Sequence, residues 1–574
     1  MRNTTPKPDV IVVGAGPVGM TLASELVRYG LKCRVVDGKQ GPTTDTRAPV
    51  LWPRTQELFA NAGILHKWEP HGVPILQAEL HAFGAHLSGM RLDDNDSPQN
   101  TPLMVSQATT EAVLSEHLGE IGCPVEYGVS ATAVAQDADG ATVTLRHPDG
   151  REESVRSAWV VGCDGPKSIT REALGLRLDR EKYEGYQIRV ADGHVRWSRP
   201  SDHGMYYYMI YERSYIGYQT LPPFPDGRSR HYCYFLTPDD DPDNHEPPTA
   251  EELEANIRRL SGDPGAEVSD LQWVNRLRYS HGVASSFRSG RGFVAGDAAK
   301  IVIPIGGQGM NYGMGDAFNL AWKLAYVHRG WALPKLLDSY DEERRGAALG
   351  LDGFTKKTFY LVTRPKRWLN ALIRTVGPAA FRLRPVRQAL ALRMLGLKLR
   401  YPDSPLSVDL GVGRGVRAGE RAPDALVVRM PERETVRLFE LFRGTHWTLL
   451  LFGGEGSTEE DLRGLGEVGA WAARAYGGRV RPYVVAADVA PLARPDATVG
   501  VLADSERFAH ERYGAKKPTV YLIRPDGYVG FGGAGIGASQ RLRRYLADVL
   551  GAGARLGAPS AGGAGAPAPS ASAT

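Results

Sequence analysis

The 574-residue sequence contains only four cysteines, Cys33, Cys123, Cys163 and Cys233, and none of them stands at CxxC spacing. A disulfide scaffold and a dithiol redox site are therefore not expected, and the four read as reduced structural thiols. HExxH and clustered Cys/His runs are missing among the 14 histidines, so no metal site is expected. No stretch stays apolar for the ~20 residues that a membrane helix needs, and the polar N-terminus lacks the features of a secretory signal. These absences point to a soluble, cytoplasmic protein with no membrane partner. Acidic residues are absent from Gly353–Arg400, which carries twelve Lys or Arg; the formal charge of +4 thus hides a remainder at −8. Such a remainder does not suit nucleic acid, whose binding needs a basic face over many phosphates. The basic stretch has Leu369, Leu372, Ile373 and Val376 at helical spacing. It is read as a helical pair packed on the main domain with its cations in water, in preference to a membrane-surface helix.

What is present divides into three regions and a tail. Strand-like runs (VIVVGAG, CRVVD, WVVGCDG) alternate with helical periods over the first 182 residues, and the pattern returns at GFVAGDAA. That alternation predicts an α/β, Rossmann-like domain built from 1–182 and 283–415, which includes the basic helical segment 353–400. Between them, 183–282 is dense in Tyr and Met (GMYYYMIYERSYIGYQ) and reads as an inserted β-sheet domain. A second α/β unit follows over 416–550. Residues 551–574 consist almost wholly of Gly, Ala, Pro and Ser and are expected to be disordered.

The strongest local signal is Val10-Ile-Val-Val-Gly14-Ala-Gly16-Pro17-Val18-Gly19, a strand that feeds GxGxxG and then a helix. Gly14 permits the tight turn, Gly16 lets the backbone approach a pyrophosphate, and Gly19 allows close helix–strand packing. The helix N-terminus supplies positive potential. The second strand ends at Asp37, where a carboxylate can accept hydrogen bonds from ribose hydroxyls. Together these predict dinucleotide binding. Two other glycine strings, near Gly411 and Gly533, are not followed by a strand ending in an acid and read as loops.

Two further segments narrow the dinucleotide. Asp164-Gly165 lies in VVGCDGPKSITREALGL, and Gly296-Asp297 in RGFVAGDAAKIVIPIGGQGMNYGMGDAFNLAWKLA. In this order the three motifs resemble those of class A flavoprotein monooxygenases, the p-hydroxybenzoate hydroxylase fold family, over roughly residues 8–350. The resemblance implies that the first fingerprint binds FAD and that the Asp164-Gly165 segment lies near FAD and is linked to NADPH or NADH use. It further implies that Asp297 holds the ribityl chain, while the turn through Gly307, Gly309, Met310 and Asn311 lines the pyrimidine edge. Backbone N–H groups at that helix start would face the negative charge of reduced flavin. Arg47 and Gln107 match family residues that contact the cofactor, whereas Arg171 reads equally well as a helix-surface charge. Where the family usually has GDAAH, this chain has Lys300, to which no acid/base role is carried over; pairing with a cofactor phosphate is a plain alternative.

The implied reaction is hydroxylation of an aromatic or quinone-type small molecule, of polycyclic polyketide character, through a flavin peroxide. The alternatives are Baeyer–Villiger oxygen insertion on the same fold and a non-catalytic flavin-binding protein. The reaction is centred on the flavin; Arg47, Pro304 and Tyr207 are the candidate residues near it. Alternation along the Tyr-rich segment puts Met205, Tyr207 and Met209 on one face and Tyr206, Tyr208 and Ile210 on the other. Spacing leaves open whether either face lines a pocket or packs in a sheet interior. The 416–550 unit resembles the thioredoxin-like appendage of phenol and polyketide hydroxylases but has no cysteine. Dithiol exchange is thereby excluded, leaving packing or homodimer formation as its role.

Overall fold

The first strand, Val10–Val13, is buried at every residue, as a central strand must be when both faces are covered. Val10 and Val12 pack in the core with the Pro17–Arg28 and Gly309–His328 helices, and Ile11 and Val13 pack against Ala141, Val143 and Leu145 of a three-stranded antiparallel sheet. The first strand pairs in parallel with Cys33–Asp37 on one side and Trp159–Gly162 on the other, and the latter pairs in parallel with Gly292–Val294. These four are neighbours in a six-stranded sheet whose segments come from both sides of the 183–282 region. The computed structural model describes residues 7–551, apart from 84, 198–204, 212, 305, 365, 414, 489–495 and 536. The expected disordered tail lies outside the described residues except for Gly551.

The inserted region forms a seven-stranded sheet, but its membership is wider than 183–282. Gln77–Ala82 pairs in parallel with Met205–Tyr211, and Ala85–Arg91 forms the edge beyond it. Those two strands are short and mixed in polarity, so their sequence does not announce which sheet they join. A helix, Ala250–Ser261, covers one face by burying Leu253, Ile257 and Leu260 against Tyr207, Met209, Ile216 and Phe235. The basic segment forms the end of the Asp338–Thr363 helix and the helices Arg367–Ala380 and Arg384–Met394. Among the described residues no helix is long and apolar enough to cross a membrane.

In the C-terminal unit, Trp447–Phe452 lies between a parallel partner, Val480–Ala486, and an antiparallel one, Thr519–Ile523, which continues into Val529–Ala534. This is a thioredoxin-like strand order, here without any thiol. Gly532 and Gly533 sit in the last of these strands, so the string near Gly533 is only partly a loop. All four cysteines of the chain are free.

Buried charge joins this unit to the first domain. Arg524 donates to both oxygens of Glu343 (2.5 and 2.9 Å) and to Asp526, while Lys323 pairs with Glu343 at 2.7 Å. Ser404 and Asn319 fill the remaining acceptor positions on Glu343, and Trp322 donates to Asp526. The attraction of Arg524 and Lys323 outweighs burial and holds the Glu343 carboxyl well below its ordinary range. Around this polar centre the apolar core runs unbroken from Trp322 and Tyr326 to Trp447, Leu449 and Tyr545. Removing one member of a buried ionic set strands the others, which typically costs about 3–5 kcal/mol. Arg524→Ala is accordingly expected to lower the thermal midpoint of the purified protein sharply; an unchanged midpoint would contradict this account of the interface.

The inserted sheet carries a source of acid sensitivity. The Val195 N–H donates to Nδ1 of His231 (3.1 Å), which keeps this fully buried ring neutral where it stacks on Tyr218. Burial, helped by repulsion from His194, lowers its pKa to about 3. The unfolded chain takes up a proton on this residue near pH 6.5 and the folded chain does not. Stability should therefore be lost as pH falls from about 6.5 toward about 3, by up to about 1.4 kcal/mol per pH unit. Chemical denaturation across that range should show a flatter profile for His231→Gln.

Candidate functional site

Three glycine-bearing turns leave the carboxyl ends of three adjacent parallel strands. After Val10–Val13 the chain turns through Gly14, whose φ is +102° and whose side would meet the Cys163 carbonyl oxygen at 2.4 Å if it carried a Cβ. Gly19 packs equally tightly against the Gly14 carbonyl, with a Cβ position 1.9 Å away. At Gly16, by contrast, nothing of the protein lies within 4 Å of an added Cβ, so the outer side of this turn is open. Pro17 and Val18 begin the Pro17–Arg28 helix, and Val18 packs under Gly296 and Gly313. Asp37 accepts from the N–H groups of Ala15 (2.7 Å) and Lys39 (2.8 Å), which sets its carboxylate beside the turn.

The second and third turns join the first through backbone. Cys163 donates to the Val13 carbonyl at 2.7 Å, and Ala295 donates to the Gly162 carbonyl at 2.9 Å. Gly165 is open, with φ +78°. The Asp164 side chain turns inward: it accepts from Ser168 and from the N–H and hydroxyl of Thr170 (3.1 and 3.0 Å), capping the short helix that follows. Arg171 is no surface charge. It is buried and donates to the carbonyls of Ala298 (3.0 Å) and Pro166 (3.2 Å), tying the second turn to the third.

Asp297, in the third turn, is solvent-exposed although its neighbours Gly296 and Ala298 are buried. Loss of solvation there raises its pKa, opposed by the positive charges of Lys300 and Arg47. Arg47 is therefore electrostatically close although it lies in a different segment; its guanidinium pairs with Asp45 at 2.7 Å. Burial, with the negative charge of Asp297, raises the Tyr279 pKa, and the positive charge of Arg47 opposes them. Gln107 opens the Gln107–Glu120 helix and donates to Glu111 at 2.9 Å.

Behind the turn lies a group that sequence reading missed. Asp316 is fully buried and accepts from the Gly296 N–H (3.0 Å), from Lys300 and from Arg344 (2.6 Å). Lys300 is thus committed to Asp316, which leaves pairing with a cofactor phosphate without support. Burial lowers the Lys300 pKa against the attraction of Asp316. Arg344 also donates to the Tyr312 carbonyl (2.7 Å) and the Tyr401 hydroxyl (2.6 Å). Asp316 sits in the string GMGDAF, where nothing distinguishes it from a helix-surface acid.

The turn before the Gly309–His328 helix has positive φ at Gly306 (+80°) and Gly307 (+62°), and both carbonyls accept from Trp52 Nε1 at 3.2 Å. Pro304 precedes it and is half-buried. The Asn311 side chain is fully engaged: Oδ1 accepts from the Trp52 N–H and Thr55, and Nδ2 donates to the carbonyls of Val50 and Gly307. Its amide therefore positions the Trp52 loop and is not presented to a ligand. Met310 packs on the main core. Gly309 has room beside it, its nearest neighbour being Val302 at 3.8 Å.

A cavity of about 1290 Å³ begins at this turn, with Gly306, Gln308 and Tyr312 in its wall, and extends along the inserted sheet past Leu80, Tyr208 and Ile210. Tyr207 is on the other face, buried against the Ala250–Ser261 helix, and so drops out as a candidate near the reaction. Alternation puts neighbours on opposite faces, and only the packing helix decides which one faces inward.

Residues 7–351 match the family model of an FAD binding domain, and 416–553 match that of an aromatic-ring hydroxylase C-terminal domain. The chain belongs to the class A flavoprotein monooxygenases. It is 34% identical over 584 residues to a 6-methylpretetramide 4-monooxygenase of Streptomyces rimosus, covering 97% of each. A 12-dehydrotetracycline 5-monooxygenase/anhydrotetracycline 6-monooxygenase of the same species is 29% identical, with 91% of this chain and 94% of the relative covered. Among solved structures, an anhydrotetracycline hydroxylase from Streptomyces rimosus matches with TM-score 0.70 at 27% identity over 96% of this chain and 100% of that one. An aklavinone-11 hydroxylase in complex with FAD and aklavinone matches with TM-score 0.72 at 27% identity, over 95% and 99%. This monooxygenase depends on FAD, and NAD(P)H is the usual reductant of its family.

The residues present suit that cofactor: an open glycine turn at a helix N-terminus for a pyrophosphate, an adjacent acid, and an exposed carboxylate within the electrostatic reach of an arginine. Gly16→Val adds bulk only on the open side. Flavin retention after gel filtration is expected to fall at least about tenfold while the thermal midpoint of the apoprotein stays put; retained flavin would remove the turn from the cofactor site.

Proposed function

We propose that the chain hydroxylates a polycyclic aromatic or quinone-type polyketide held in the cavity beside the inserted sheet. The observation that carries this reading is continuity: one cavity joins the turn at Gly306 to the apolar and aromatic face of Leu80, Tyr208 and Ile210, with charged residues such as Arg393 and Lys398 elsewhere in its wall. The relatives named above act, by their names, on 6-methylpretetramide, on dehydro- and anhydrotetracycline, and on aklavinone. Apolar and aromatic walls suit a flat ligand of that kind.

In this reading the Gly14–Gly19 turn and Asp37 hold the adenylate and pyrophosphate side of FAD, and Gly165 leaves the backbone open beside them. Asp297, Arg47 and Gln107 serve the ribityl side. Backbone N–H groups of the turn through Gly307 and Gly309 would hold the isoalloxazine end, with Met310 and Asn311 fixing that turn through the core and the Trp52 segment. When bound, FAD supplies the chemistry of reduction by NADPH or NADH and of O2 activation. The protein's own tasks are to orient the substrate carbon and keep water out. Tyr208, Ile210, Leu80 and Met90 supply the dry wall, and Asp316 with Arg171 fixes the turns against which the substrate is aligned.

The test is incubation with NADPH, ¹⁸O2 and a panel of polycyclic phenols and quinones. Expected are substrate-stimulated NADPH oxidation and a product that carries one ¹⁸O as a ring hydroxyl. Oxygen placed within a carbon–carbon bond would mean Baeyer–Villiger insertion instead. No stimulation by any member would leave a flavin-binding protein. Ile210→Trp should raise KM at least about tenfold with flavin content unchanged, whereas Tyr207→Phe, on the far face, should leave KM within about twofold.

A further inference from the structure

The far face of the inserted sheet carries a second constellation. Glu79 and His81 stand two residues apart on the Gln77–Ala82 strand and so share a face. On the edge strand, His86, Ser88 and Met90 would share a face by simple alternation, and that face is the one toward the cavity, where Met90 lies. The ladder slips here: Leu80 pairs with Ser88, but His81 pairs with His86, so Leu87 is an extra residue. Such a bulge re-aims the residues beyond it. Leu87 is buried and packs with Ile373 and Phe381, and His86 is turned to the face of His81 and Glu79.

Three details shape the result. The rings of His81 and His86 are 4.8 Å apart between centroids. Glu79 Oε2 lies 2.6 Å from His86 Nε2, while its other oxygen accepts from the Gln77 side chain. Opposite Glu79 stands Gly89, where a Cβ would come within 2.7 Å of Glu79 Oε1; the missing side chain is the space that the carboxylate occupies.

We propose that Glu79, His81 and His86 form a binding site for one divalent transition-metal ion of the borderline class, Zn²⁺, Co²⁺, Ni²⁺ or Cu²⁺. One donor atom from each lies within 4.8 Å of the others. Metal bonds of about 2.0–2.2 Å bring donors closer than that. Coordination requires the three donors to draw together, and the exposed His86 side chain has the rotational freedom to contribute to this. Two imidazoles and a carboxylate match the ligand preference of these ions over Mg²⁺ or Ca²⁺, with water completing the shell. A sheet's thickness separates the ion from the cavity, so its role is to pin the edge hairpin whose opposite face supplies Leu80 and Met90 to the cavity wall. This does not depend on the proposed substrate.

The experiment is calorimetric titration of the tag-free, FAD-loaded enzyme with Zn²⁺, backed by visible spectra with Co²⁺. Expected is one equivalent bound, with affinity weakened at least about tenfold in His81→Ala, in His86→Gln and in Glu79→Gln, at unchanged flavin content and circular dichroism. His86 is exposed, so His86→Gln is the variant that keeps the fold. Wild-type binding no tighter than that of the His81→Ala/His86→Gln double variant would overturn the proposal and leave the Glu79–His86 contact an ordinary ion pair.

Discussion

Asp316 is the point at which the site is assembled. A carboxylate taken entirely out of water is tolerable only when its oxygens are filled and its charge matched, and here Gly296, Lys300 and Arg344 do both. Each partner belongs to a different segment: the third turn, the strand after it, and the Asp338–Thr363 helix. Satisfying one buried charge therefore sets the third turn against the Gly309–His328 helix. That helix begins at the glycine turn which opens the cavity. The departure at residue 300 from the family's histidine is absorbed in the same way, since the lysine charge is neutralised inside the protein.

The same logic repeats at the junction with the C-terminal unit. Glu343 is the residue before Arg344 on one helix, and its carboxylate is saturated by Arg524, Lys323, Asn319 and Ser404. The thiol-free C-terminal unit thus acts on the first domain through packing and charge. Its Arg524 and Asp526 enter the core that supports the site's helices, and Arg421 pairs with Glu57 and Asp96 on the same side. Dimer formation is not needed to explain why this unit is retained beside the cofactor domain.

The motif at Gly14–Gly19 and the acid at Asp37 were legible because each is a local rule, a glycine where backbone must pass close and an acid where a strand ends; the two later turns were legible through the resemblance to a family that carries them in the same order. Less legible was anything decided by a partner distant in the chain. Asn311 occurs in a cofactor-like string, yet its amide is spent on Trp52, Thr55 and Val50. Arg171 read equally well as a helix-surface charge and is buried. The strands at 77–91 gave no sign of joining a sheet whose other members begin at Tyr186, because strand pairing carries no local signature.

By itself, the sequence determined the class of fold and the dinucleotide fingerprint, since backbone conformation and short-range spacing suffice for those, and its resemblance to a known family implied the chemistry. Tertiary structure alone decided which face of the Tyr-rich strand meets the cavity, where Lys300 sends its charge, and that a one-residue bulge gathers Glu79, His81 and His86. Periodicity gives two faces but no inside, and a buried charge or a slipped register takes its meaning only from what packs against it.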